Sequence, residues 1–144
     1  MYQPLLDEFL TSGKTLQVYK GAKLIFTSNK AGLLPLVEYI EKFASNHRNV
    51  VIFDKITGRA AALLCIKANC REVYSPLGSQ LALEVLEEHG IKYHLSRIVP
   101  YIQKPNQKDI CPMEKLSLDK KPEEFYEIIR GIIKEPQTER PDKP

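Results

Sequence analysis

The sequence is poor in the residues that build disulfides and metal sites, with three cysteines and three histidines in 144 residues. Cys65, Cys70 and Cys111 are odd in number and show no paired spacing, which argues against a disulfide framework and points to a reducing, cytoplasmic setting. The start of the chain also lacks the basic-then-apolar layout of a secretory signal. His89 and His94 have no cysteine at ligand spacing, so neither predicts a metal site. No apolar run approaches the roughly 20 residues that cross a bilayer, which predicts no membrane span. Neither Gly-x-Gly-x-x-Gly nor a Walker-type phosphate loop is present. Charge of one sign is missing too: 21 basic and 18 acidic residues are mixed along the chain, a balance that weighs against nucleic acid as a partner.

What is present is a 43% apolar chain, enough to bury one sizeable core, and one domain over residues 1–134 is expected. Gln3 to Leu10 has helical apolar spacing. Thr15 to Lys20 and Lys23 to Ser28 read as two strands joined by a turn at Gly21-Ala22. A helix follows from about Leu33 to Asn46, with Pro35 in its first turn. Val50 to Phe53 is continuously apolar, the pattern of a strand buried on both faces.

Thr57 is in position to cap a helix from Gly58 to Asn69, apolar almost all round. Glu72 to Tyr74 reads as a brief strand broken at Ser75-Pro76. Ser79 to His89 is amphipathic and stops at Gly90, and Ile91 to Ile102 makes a final strand bent or ended near Pro100. Lys104 to Ile110 is polar, with a turn signal at Pro105-Asn106. Short and long helices are predicted from Pro112 to Leu116 and from Pro122 to Lys134, a helical extension over 111–134. Residues 135–144, with three prolines and no apolar anchor, read as a disordered tail. Alternating helices and strands after the hairpin predict a three-layer α-β-α fold. Its mixed five-stranded sheet would be antiparallel at the hairpin and parallel beyond it.

Five segments carry a family resemblance: Ser12-Gly13-Lys14-Thr15-Leu16, Val18-Tyr19-Lys20, Asp54-Lys55-Ile56-Thr57-Gly58-Arg59-Ala60-Ala61-Ala62, Val73-Tyr74-Ser75 and Cys111-Pro112-Met113-Glu114. Over about Leu5 to Leu118 the chain resembles a prokaryotic family without an assigned activity that adopts the cytidine-deaminase fold. Deaminases of that fold place a His or Cys followed by Ala and Glu at the start of the second helix, and Pro-Cys-x-x-Cys at the start of the third. The matching segments here, Asn29 to Leu34 and Asp54 to Arg59, contain no Cys, His or Glu. The zinc ligands and the proton-shuttling acid are therefore missing where the fold would present them. No metal and no cofactor are expected.

Open α/β sheets bind ligands outside the carboxyl ends of their strands, beside helix N-termini. Two loops should meet there, Thr27 to Gly32 and Asp54 to Arg59. They offer Ser28, Asn29, Lys30, Thr57, Gly58 and Arg59 as ligand-binding candidates, although Gly58 is explained as readily by close packing. A polar or anionic, nucleotide-like small molecule would suit such a set.

Asp54 and Lys55 are catalytic candidates, read as an ion pair at the strand mouth or, alternatively, as a helix cap and a solvated lysine. Cys111 at a helix start is a candidate nucleophile or a small buried residue. Glu114, three residues on, is either a cap partner or a general acid or base. All four come together only if the extension folds over the strand ends. Three functional classes follow: a metal-independent enzyme, a binding or regulatory module forming a homodimer through Ile128, Ile129 and Ile132, and, as a minor option, a nucleic-acid binder.

Overall fold

The computed structural model describes residues 2–103 and 109–139, so the polar turn predicted around Pro105-Asn106 lies outside the described residues. The chain opens with α1 (Gln3–Thr11) and a hairpin of β1 (Leu16–Lys20) and β2 (Lys23–Ser28). Gly21, at φ +61°, supplies the left-handed backbone of the hairpin turn. α2 (Leu34–Phe43) leads into β3 (Val50–Asp54), then β4 (Ile56–Thr57) and α3 (Arg59–Lys67). β5 (Cys70–Ser79), α4 (Gln80–Glu88) and β6 (Lys92–Val99) follow, then α5 (Pro112–Ser117) and α6 (Pro122–Glu139).

The fold is α/β, with helices packed on a six-stranded mixed sheet. Strands β2-β1-β3-β5 lie in that order, with β4 and β6 also paired to β5. β1 is antiparallel to both β2 and β3, whereas β3, β4 and β6 all run parallel to β5.

The sixth strand comes from an interruption that the sequence reading did not foresee. Phe53 pairs with Tyr74 and Ile56 with Leu77 at unchanged spacing, so β4 continues β3 after a gap. The gap faces Ser75-Pro76, and Pro76 has no N–H to give to a ladder. Pro76 does not end β5, which runs through it for ten residues in place of the brief strand expected at Glu72 to Tyr74. β6 is shorter than expected and stops at Val99, just before Pro100.

Two apolar clusters lie on opposite faces of the sheet. Leu6 and Phe9 of α1 pack with Tyr2, Tyr19, Val51, Phe53 and Tyr74 on one face. Val50 and Ile52, the alternate residues of β3, face the larger cluster built from α2, α3, α4 and α6. This alternation places Asp54 on the side of α3 and Lys55 on the side of α1.

α3 is buried because it is wrapped. Ala60 to Cys65 are all buried, and α4, α5 and α6 pack against the helix. Fully buried Phe125 and Ile129 fix α6 there, each worth about 1.5–3 kcal/mol of apolar burial. α6 runs to Glu139, so the segment read as the start of a disordered tail at Glu135 is helix; residues 140–144 lie outside the described residues.

Candidate functional site

The interruption between β3 and β4 opens into a cavity of about 330 Å³ at the carboxyl end of β3, between α3 and α5. Its walls are mainly apolar, formed by Leu33, Ile56, Ala60, Ala61, Ile102 and Met113, with Asp54, Lys55, Glu114, Cys111 and Thr15 as polar members. Burial pushes the Asp54 carboxyl from 3.8 up to about 7, while the backbone N–H groups of Ile56 and Lys55 draw it back only in part. No basic side chain among the described residues forms an ion pair with Asp54. A carboxyl in this state exchanges its proton near neutral pH, the range in which a general acid or base works best.

Glu114 lines the same cavity but is committed to the backbone. Its Oε1 accepts the Arg59 N–H at 2.5 Å and its Oε2 accepts the Ile102 N–H at 2.9 Å, with the residue 2% exposed. Arg59 is the first residue of α3, so a glutamate from α5 does the capping work expected of Thr57. The N-cap position itself is Gly58, which has no side chain to offer. A Cβ at Gly58 would lie 2.6 Å from Glu114 Oε1 and 2.8 Å from Ile102 Cγ1. The bare glycine is what lets the carboxylate reach the helix.

Residues 6–133 match the family described as a domain of unknown function, DUF1893. The chain belongs to the DUF1893 family. It is similar to the crystal structure of a DUF1893 family protein from Thermotoga maritima, with a TM-score of 0.82 and 29% identity over 90% of this chain and 88% of that one. No curated protein matches it.

In this DUF1893 chain the four catalytic candidates, Asp54, Lys55, Cys111 and Glu114, all line one cavity, with α5 delivering the last two. The Asp54–Lys55 ion pair is not formed: the Lys55 ammonium sits 5.4 Å from the centre of the Phe9 ring, on the α1 side of the sheet. Nor does Asp54 cap α3, since Glu114 holds that position.

Of the ligand-binding candidates only Gly58 is on the cavity wall. Ser28 Oγ accepts the Lys30 N–H, Lys30 pairs with Glu38 at 2.9 Å, and Asn29 is exposed. The Arg59 guanidinium donates to the carbonyls of Ser117 and Lys120, tying α3 to the α5–α6 junction. Thr57 is fully buried, and its hydroxyl has no partner among the described residues.

Sequence reasoning missed the apolar wall. Ala60 and Ala61 carried only a core signal, and Ile102 read as a strand end. Nothing in local patterning marks an apolar residue as cavity-facing.

Among the described residues no three His, Cys, Asp or Glu side chains gather as a metal ion would need, and no helix is long and apolar enough to cross a membrane. Of the stripe considered for a dimer contact, Ile129 is buried inside the subunit, Ile128 is half-buried and Ile132 is exposed.

Proposed function

We propose that this DUF1893 protein binds a small molecule in the cavity between α3 and α5, with Asp54 as its proton-exchanging group and Cys111 as the nucleophile candidate. The observation that carries this reading is the raised carboxyl of Asp54 in a cavity that a thiol also lines. Glu114 and Gly58 are positioning residues in this scheme, since both Glu114 oxygens already hold backbone N–H groups. Cys111 is half-buried at the N-cap of α5, and its main chain is pinned by the Cys111 N–H to Ile102 C=O bond at 2.8 Å.

The finer fold reading, a cytidine-deaminase-like arrangement, is supported by the order of an antiparallel hairpin followed by parallel strands. The donor set supports a zinc-free site, because the two helix-start segments that would carry metal ligands and the shuttling acid offer neither histidine nor cysteine nor glutamate. The test is a fragment screen by protein-observed NMR. Binders should shift the amides of Asp54, Ile102 and Cys111 together, and a screen whose hits all map elsewhere would overturn the reading.

A further inference from the structure

The charges around the cavity specify what kind of molecule it takes. Asp54 has no basic partner among the described residues, and Glu114 brings a second carboxylate to the same wall. Of the cations nearest in sequence, Lys30 pairs with Glu38 and Arg59 holds two backbone carbonyls, while Lys55, which also lines the cavity, carries its ammonium over the Phe9 ring and forms no ion pair with Asp54. An anion entering here would meet the Asp54 carboxyl, which carries no ion pair among the described residues, and like charge costs more in a poorly hydrated cavity than in water. A cation would supply the partner that Asp54 lacks, and a planar N–H fork can engage a carboxylate through two parallel bonds. Leu33, Ile102 and Met113 would cover an apolar body.

We infer that the ligand is a small organic cation, an amine or amidinium carried on an apolar group; this rests on the cavity reading above. The polar or anionic ligand expected from the sequence finds Lys30 and Arg59 engaged in other contacts, away from the cavity wall.

Three probes of nearly one shape separate the charge states: benzamidine (cation), benzamide (neutral) and benzoate (anion), titrated against the full chain by NMR. Benzamidine should bind about tenfold or more tighter than benzamide, with benzoate weakest, tenfold being the effect of about 1.4 kcal/mol. Asp54→Asn should abolish the preference while keeping the melting curve cooperative. A pH series on the unaltered protein gives the same answer if that variant does not fold. The titratable groups around Asp54 are Cys111 and Glu114 from α5, Lys55 beside it and Cys65 on α3. Benzamidine affinity should rise between pH 6 and pH 8. Benzamide or benzoate binding as tightly as benzamidine would overturn the charge inference and leave the cavity reading standing. No binding by any of the three would overturn both.

Discussion

Glu114 reaches back 55 positions along the chain to accept the N–H of Arg59, the residue that starts α3. Its other oxygen takes the Ile102 N–H, so one carboxylate joins the third helix, the segment after β6, and α5. That junction is also the floor of the cavity.

Removing it should loosen the fold locally. Glu114→Ala leaves two N–H groups without their acceptor and is expected to cost about 3 kcal/mol in urea denaturation, from a lost cap and buried donors left unpaired. Gly58→Ala should cost about 1–3 kcal/mol through overpacking against Oε1. In the Glu114→Ala background the Gly58→Ala cost should shrink, because the closest clashing atom is gone. Additive costs would show that the two residues are not coupled.

Asp54 predicts a stability that falls as pH rises. Its folded value, about 7, lies above the ordinary 3.8, so between those pH values the folded chain holds a proton that the unfolded chain has released. Its contribution is therefore most favourable in acid and is lost as pH climbs to about 7. A rise of that size corresponds to about 4 kcal/mol if fully expressed, and solvent contact at the cavity mouth reduces it. Asp54→Asn should gain about 2 kcal/mol at pH 8 and nothing at pH 4, read from denaturation midpoints at the two pH values.

The three thiols should react in order. Cys111 is half-buried on the cavity wall, while Cys65 and Cys70 are buried. A hydrogen bond with Cys70, then burial, pushes the Cys65 thiol well above its ordinary value. Mass spectrometry after brief alkylation should show one modification at Cys111, with Cys65 and Cys70 labelled only on unfolding.

Two hydroxyls are buried without a partner among the described residues, Tyr39 and Thr57. Tyr39→Phe and Thr57→Val should each be neutral or stabilising by up to about 1 kcal/mol, since a lone buried polar group is removed. Burial pushes the Tyr39 phenol up to about 12, so Tyr39→Phe should remove a late-ionising phenol from the alkaline titration.

The helices and most strands were legible because period and punctuation agreed: Pro35 opens its helix, Ser79 caps α4 through the Ala82 N–H at 3.0 Å, and Val50 to Phe53 is a buried strand. Pro76 misled because proline inside a sheet is uncommon, yet here it lies within β5, opposite the gap between β3 and β4. Asp54 was legible from its place at a strand end, but its electrostatic state was not. That state depends on burial among apolar walls brought by α3 and α5, a tertiary fact. Glu114 was ambiguous between cap and acid until the helix it caps was seen to be a distant one.

The most direct test follows the Asp54 side-chain carboxyl carbon by NMR from pH 4 to pH 9, with and without saturating benzamidine. The account predicts a midpoint of about 7 in the free protein and a lower one once the cation is bound. A free-protein midpoint near the ordinary 3.8, or one that benzamidine leaves unmoved, would contradict it.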